Sequence, residues 1–218
     1  FAAEGAAVDV ITRIPGEELT DARYAALDRP RRRRLADDLA RFLAGLHRPE
    51  LAARAAAAGV PARSPWPLPA ERIVAQVSPL LADAGRVRFL ETAMGEYDAI
   101  QVADGDRVLV HNDLREDNMG FDPEAGRLCG VFDFGDVALD DRHRDFRGFP
   151  SIDLHLHDAV MRGYARLTGR ELSRRRTLLY NAAGELSHLV HLLETGEDGR
   201  AAELVGPCLA ELMRRLGR

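Results

Sequence analysis

The sequence predicts a mixed α and β fold that is predominantly helical and holds one small β-hairpin near its middle. Apolar residues recur at helical spacing in the segments before residue 103 and after residue 150. Between these segments lie short apolar runs that are separated by turn-forming residues, as in strands and hairpins. The 218 residues, of which 46% are hydrophobic, suffice for one large globular domain or two small ones.

The first half of the chain predicts one strand and then several helices. Residues 8–12 alternate and are β-branched, so they favour a strand that residues 14–16 end. A helix follows, with Asp28 as its N-cap, Pro30 in its first turn and a regular apolar face. Glycine and proline residues make 59–69 a loop between weaker helices, and a clearer helix spans 86–102.

The second half of the chain begins with the predicted strands. Residues 107–110 form a short strand, and residues 119–121 and 127–132 form a hairpin around a turn at 122–126. From residue 151 onward the pattern is helical again. Ser151 and Ser173 are candidate N-caps, and Gly169 and Gly196 are candidate helix ends. A last helix begins at about residue 200 and is expected to be kinked at Pro207.

The charge balance narrows the classes of partner. The formal net charge is -5, which disfavours nucleic-acid binding and mildly favours a cationic partner. The arginine runs 31–34 and 174–176 are interpreted as solvated helix faces rather than as an RNA-binding surface. No apolar run reaches the roughly 18 residues of a membrane span, and no signal-peptide pattern is present, so a cytoplasmic location without membrane partners is expected. Cys129 and Cys208 are expected to be buried, reduced thiols.

One ordered set of polar residues carries chemistry. Residues 111–118 read H-N-D-L-R-E-D-N, and residues 133–135 read D-F-G. Phosphoryl transfer requires a carboxylate that meets the acceptor hydroxyl and two oxygen ligands that hold magnesium against the nucleotide phosphates. Asp113 suits the first task, and Asn118 and Asp133 suit the second, because the predicted hairpin returns Asp133 to the loop. His111 is interpreted as a brace for the loop backbone.

The stretch from Val110 to Phe146 resembles the aminoglycoside phosphotransferase family, including its form with H-N-D-L in the loop and D-F-G-D afterwards. Residues 14–19 and 42–47 are similar to the segment after the hinge and to the first C-lobe helix of that family. The resemblance implies a protein-kinase-like C-lobe with the hairpin at its active site. It also implies a hinge in which the backbone of Thr12 and Ile14 meets the base of ATP or GTP.

Two departures from the family pattern bear on function. The family places its phosphate-covering loop and its phosphate-pairing lysine before the hinge, whereas this sequence begins at Phe1 and contains no lysine. Residues 1–16 are therefore assigned to the hinge strand and the end of an N-lobe, and residues 17–218 to the C-terminal catalytic and substrate-binding lobe. Arg115 stands two residues after Asp113, where it is either an electrostatic stabiliser of the transferring phosphoryl group or a solvent-facing arginine.

The acceptor is expected to be a small, cationic, hydroxylated molecule, most simply an aminoglycoside. A polyamine requires converging carboxylates, and the family places its acceptor pocket in the helices after the catalytic loop. The candidates there are Asp136, Asp153 and Glu185. Two alternatives stay open: a kinase for a macrolide, choline, an amino acid or a sugar, and a kinase-like lobe that binds a ligand without catalysis. The oligomeric state is not indicated.

Overall fold

Nine helices carry most of the described residues of this computed structural model, which describes residues 14–217. The helices are α1 Asp21–Ala26, α2 Arg29–Leu46, α3 Pro49–Ala57, α4 Ala70–Val77, α5 Ala84–Asp98, α6 Phe149–Ile152, α7 Leu154–Thr168, α8 Arg174–Glu194 and α9 Asp198–Leu216. The strands are β1 Glu17–Glu18, β2 Arg107–Val110, β3 Met119–Asp122, β4 Arg127–Val131 and β5 Ala138–Asp141. The predicted fold class is confirmed, and the strand predicted at 8–12 lies outside the described residues.

The strands form two small antiparallel sheets. The predicted hairpin is present as β3 and β4, and β1 adds to the free edge of β3. The second sheet pairs β2 with β5, so that Arg107 lies opposite Asp141 and Val110 opposite Ala138. The sequence analysis did not predict β5, because its two apolar residues precede two aspartates and give no strand pattern.

The predicted helix boundaries hold where a side chain caps the helix. Asp28 and Ser173 accept hydrogen bonds from backbone amides of the first turns of α2 and α8, and Gly169 ends α7 with a left-handed φ of 68°. The prediction of Ser151 as an N-cap was wrong. Ser151 lies inside the short α6, and α7 is capped by Asp153, whose carboxylate accepts two backbone N–H groups. Helix α5 ends at Asp98, before the predicted limit of residue 102.

Two hydrophobic clusters divide the helices. The first contains buried residues of α4, α5, α8 and α9. The second joins α2, α6 and α7 to the hairpin and to Leu114, which anchors the segment between β2 and β3. The segment between β2 and β3 is therefore anchored in the second cluster, whereas α8, the longest helix among residues 14–217, packs in the first.

Two expectations about surface residues are corrected. Arg31 and Arg34 donate hydrogen bonds to carbonyls of the hairpin turn, and Arg175 pairs with Glu96, so the arginine runs connect elements as well as meet solvent. Cys129 is exposed rather than buried, although both cysteines are free thiols. Within residues 14–217 no helix combines the length and the apolar character that a membrane span requires.

Candidate active site

The loop that follows β2 is anchored by the buried carboxylate of Asp145. Its two oxygens accept hydrogen bonds from the backbone amides of His111 (3.0 Å) and Asn112 (2.7 Å). The ring of His47 donates to the same carboxylate over 2.9 Å. Burial alone would raise the pKa of Asp145, but the His47 ring and the two amides hold that pKa below its ordinary value. Asp145 therefore stays ionised and fixes the start of the loop.

Asn112 takes a conformation that few residues other than glycine adopt. Its φ is 65°, in the left-handed region, and its side chain is held from two directions. The amide nitrogen donates to Ser64 Oγ over 2.6 Å, and the amide oxygen accepts from Arg144 (3.1 Å) and Arg147 (3.0 Å). These contacts secure the backbone turn that presents the next residue, Asp113.

His111 braces the loop, as predicted from the sequence. Its buried ring accepts a hydrogen bond at Nδ1 from the amide of Asp113 (3.3 Å), and Nε2 donates to the carbonyl of Phe132 (2.9 Å). The ring also packs against Phe134, with centroids 4.6 Å apart. One imidazole thus ties the catalytic loop to the D-F-G segment, and both of its nitrogens are occupied.

The carboxylate of Asp113 is half-buried and points into a cleft. Asn118 Nδ2 donates to Asp113 Oδ2 and also to the Asp113 carbonyl, each over 2.9 Å. Guanidinium nitrogens of Arg115 and Arg147 lie 3.6 Å from the other carboxylate oxygen. The neighbours orient the carboxylate and leave it acceptor capacity toward the cleft, which is the arrangement that a general base requires.

Asn118 and Asp133 stand beside each other at the open end of the hairpin, because the amide of Phe132 donates to the carbonyl of Asn118. Among the described residues, Asn118 Oδ1 makes no hydrogen bond, and Asp133 accepts only a long one, from the amide of Gly135 (3.4 Å). Asp133 has a left-handed φ of 61°. Two available oxygen donors, one of them anionic, fit the ligand preference of magnesium.

We call the space in front of Asp113 the Asp113 cleft. It has a volume of about 170 Å³. Two arginines and three carboxylates line it together with residues of α8. The lining residues used below are Asp113, Arg115, Glu116, Arg147, Ser151, Asn181, Glu185 and His188. Burial raises the pKa of Glu116, and the nearby carboxylates of Asp117 and Glu185 contribute in the same direction.

The structure brings one of the three predicted acceptor ligands to Asp113. Glu185 lines the cleft and accepts a hydrogen bond from Ser151 Oγ over 2.5 Å. Asp153 instead caps α7, and Asp136 lies exposed in the turn after Asp133, so neither lines the Asp113 cleft. Asn181, which precedes Glu185 by four residues on α8, is buried and donates to the carbonyl of Arg147.

The two predicted nucleotide-contacting residues fall at the edge of the described chain. Thr12 lies outside it. Ile14 lies against the hairpin, since a Cβ added to Gly120 would stand 2.6 Å from Cγ2 of Ile14. The segment that begins at Ile14 therefore runs beside β3 and β4, the strands that Asn118 precedes and Asp133 follows.

Arg147 was not predicted as a site residue from the sequence. This guanidinium is buried, and burial together with nearby Arg144 lowers its pKa to about 10, against the opposite influence of Asp113. It contacts both Asn112 and Asp113. Nothing in the sequence distinguishes it from the other arginines of the chain, because its contacts arise only when the segment after Asp145 folds beneath the loop.

A loop aspartate held by an asparagine, followed across a hairpin by a second aspartate, on a mostly helical lobe, defines a kinase-like phosphotransferase. The chain belongs to the phosphotransferase enzyme family, whose family model matches residues 2–178. No curated protein sequence matches the chain significantly.

Solved structures confirm the fold. The chain resembles the GDP and kanamycin complex of APH(2")-IIia with 24% identity and a TM-score of 0.78, over 93% of this chain and 69% of that one. It resembles ADP-bound APH(2'')-Ib with 21% identity and a TM-score of 0.57, over 94% and 71%. It resembles the macrolide 2'-phosphotransferase MphH from Brachybacterium faecium with 24% identity and a TM-score of 0.57, over 81% of this chain and 61% of that one. The chain thus spans less than two thirds of MphH.

Proposed function

We propose that the protein transfers the γ-phosphate of ATP or GTP to a hydroxyl group of a small cationic molecule of the aminoglycoside class. One observation carries the proposal: Asp113, held by Asn118, faces a cleft whose other carboxylates are Glu116 and Glu185. The family and the fold support phosphoryl transfer, and the lining of this cleft supports the choice of acceptor.

The charges of the cleft favour a cation as the acceptor. The pKa of Glu116 is raised, which means that its ionised form is destabilised by burial and by its acidic neighbours. An ammonium group placed between Glu116 and Glu185 would remove that penalty and bring a neighbouring hydroxyl toward Asp113. The guanidinium group of Arg115 pairs with the carboxylate of Asp117, 2.6 Å away, and so leaves part of the cleft opening to the acceptor.

The chemical step assigned to this chain is a proton transfer coupled to substitution at phosphorus. The Asp113 carboxylate takes the proton of the acceptor hydroxyl as that oxygen bonds to the γ-phosphorus. The bond from the γ-phosphorus to the bridging oxygen breaks, and the nucleoside diphosphate leaves. Asn118 and Asp133 would hold a magnesium ion, which neutralises phosphate charge when bound. Arg115 adds a cation near the transferring group, and the backbone at Thr12 and Ile14 would meet the base.

The test replaces Asp113 with asparagine in the full-length protein. Asp113→Asn keeps the size of the side chain but removes the base, so we expect kcat to fall by about 10²–10⁴-fold with little change in KM. Asp104→Asn, which changes an exposed aspartate outside the cleft, is the matched control and should keep wild-type kinetics. Circular dichroism verifies that both variants fold.

Mass spectrometry of the products decides between the open alternatives. Aminoglycosides, macrolides and choline are incubated with wild-type protein, magnesium and either ATP or GTP. A gain of one phosphoryl group on aminoglycosides alone supports the proposal, and a gain on another compound reassigns the acceptor. Absence of any phosphorylated product from the wild type would support the binding-module alternative. Undiminished product with Asp113→Asn would remove Asp113 from its assigned role.

A further inference from the structure

A second concave surface of the molecule has the opposite charge to the Asp113 cleft. We call it the arginine groove. It lies between α2 and α7, has a volume of about 600 Å³ and shares no lining residue with the Asp113 cleft. Five arginines line it, namely Arg29, Arg32, Arg33, Arg162 and Arg166. One carboxylate, that of Asp37, lines it with them, whereas the whole chain carries a formal charge of -5.

The positive charge of the groove is not neutralised within the described part of the chain. Arg29 and Arg162 make no ion pair or side-chain hydrogen bond with residues 14–217. Arg33 and Arg166 both rely on Asp37, at 4.0 Å and 3.4 Å, and both are largely exposed. The groove therefore contains five guanidinium groups and only one lining carboxylate, which pairs with two of them. Like charges held together in this way repel one another, and an anion bound between them would relieve the repulsion.

The groove is also ordered in a way that suits an anion. The Arg32 guanidinium lies over the ring of Tyr24, 5.0 Å from its centroid, and donates to the carbonyl of Ala25. Its orientation is thus fixed before any ligand arrives. Arg29 is the first residue of α2, and His155, which also lines the groove, is the second residue of α7. Aspartates cap both of these helix N-termini, Asp28 on α2 and Asp153 on α7, so the positive charge of the groove comes from its arginines.

We propose that the arginine groove binds a compact polyphosphate anion at a site separate from the catalytic one. Guanidinium groups pair with phosphate oxygens through two parallel hydrogen bonds, and several phosphates are needed to match several arginines. A monocarboxylate would neutralise only one of them. The volume of the groove is that of a small-molecule site, which favours a free or headgroup oligophosphate over an extended nucleic acid.

The experiment measures binding of inorganic tripolyphosphate to the full-length protein by calorimetry, at fixed ionic strength and in EDTA so that metal-dependent nucleotide binding does not contribute. Arg29→Gln with Arg162→Gln removes two groove charges without breaking a described ion pair. Arg54→Gln with Arg88→Gln removes two exposed charges elsewhere and is the matched control. We expect one bound tripolyphosphate, weakened at least about tenfold by the groove variant and unchanged by the control.

A second arm separates the two sources of the ligand. Vesicles that contain a phosphoinositide are compared with vesicles whose only anionic lipid is phosphatidylserine. Selective binding of the phosphoinositide vesicles, lost in the groove variant, assigns the anion to a lipid headgroup, whereas binding of tripolyphosphate alone assigns it to a free molecule. The proposal is overturned if neither probe binds, or if the groove variant and the control weaken binding equally.

Discussion

At the scale of the residue, Glu185 is the side chain whose position depends most on tertiary structure. It lies on α8, far along the chain from Asp113, yet both line one cleft. The hydroxyl of Ser151 donates to its carboxylate over 2.5 Å and so holds it toward the cleft. Under the proposed function, a carboxylate fixed in this way would contribute charge to substrate binding without contacting the reacting oxygen.

We predict that Glu185→Gln affects binding rather than chemistry. The amide keeps the size of the side chain and loses the charge, so KM for an aminoglycoside should rise by about tenfold, equivalent to about 1.4 kcal/mol. Because the same contact exists in the ground state and the transition state, kcat should change little. Glu91→Gln, an exposed change on α5, is the control. A large fall of kcat with an unchanged KM would place Glu185 in the chemical step instead.

His157 gives a prediction about acid stability. Its ring is buried and bonded to Thr177 Oγ1 over 2.8 Å, and burial lowers its pKa to about 4 from the ordinary 6.5. Between these values the unfolded chain binds the proton more readily than the folded one. Stability is therefore fully present above pH 6.5 and is lost as the pH falls toward 4.

Urea unfolding at pH 7.5 and 4.5 measures this effect. The wild type should lose about 2–3 kcal/mol more than His157→Gln over that range, because glutamine does not titrate. His191→Gln, which changes an exposed histidine, should follow the wild type. The carboxylates whose pKa values are lowered, such as Asp145, weaken the fold only at still lower pH. Equal losses in the wild type and in His157→Gln would contradict the assignment.

Sequence reasoning identified the site residues that depend on local order. The spacing of Asp113, Asn118 and Asp133 within one loop and hairpin placed them together, and the structure has them so. It could not distinguish Glu185 from Asp153, because both are acidic residues of the helical region and only one faces the cleft. Arg147 was not predicted, because its buried contacts with Asn112 and Asp113 join distant parts of the chain and leave no local sequence pattern. The roles of these residues stay predictions.

At the scale of the element, the hairpin makes a close backbone contact with the segment that precedes β1. Gly120 of β3 lies opposite Gly130 of β4, and the segment at Ile14 and Pro15 crosses this pair. A Cβ on Gly120 would lie 2.5 Å from the carbonyl oxygen of Pro15. The absence of side chains at this point is what allows the chain before β1 to rest on the hairpin.

Gly120→Ala should therefore destabilise the protein by about 1–3 kcal/mol, the usual cost of forcing extra volume into a packed position. Gly95→Ala is the control, because Gly95 lies inside α5 with no atom within 4 Å of an added Cβ. That change should stabilise the helix by up to about 1 kcal/mol. Urea unfolding of both variants provides the comparison. A Gly120→Ala variant as stable as the wild type would show that the segment moves aside at no cost.

The elements with strong local signals were predicted, and those without were not. Helices α2 and α8 have capping side chains and long apolar faces, and β3 and β4 flank a recognisable turn. Strand β5 exists because β2 supplies its partner, and β1 exists because β3 does. Both β1 and β5 draw their hydrogen bonds from a neighbour elsewhere in the chain and lack a strand pattern of their own, so their sequences do not predict them.

At the scale of the whole molecule, the fold class followed from the sequence, but the position of the Asp113 cleft did not. The cleft lies between residues anchored in the second hydrophobic cluster and residues of α8, which belongs to the first. Periodicity predicts which face of a helix is buried, and it does not predict which cluster that face joins. The assignment of residues 1–16 to a hinge and the remainder to one lobe stays a prediction.

The division of the helices between two hydrophobic clusters has a consequence for how the protein can evolve. Asp145, which is the chain neighbour of Phe146 in the second cluster, and its partner His47 hold the start of the loop after β2, whereas Glu185 and His188 lie on a helix of the first cluster. Mutations on the exposed side of α8 can therefore reshape one wall of the Asp113 cleft while the carboxylate of Asp113 keeps its neighbours. Under the proposed function, selection for a new acceptor would have a route through α8 that leaves residues 111–118 intact.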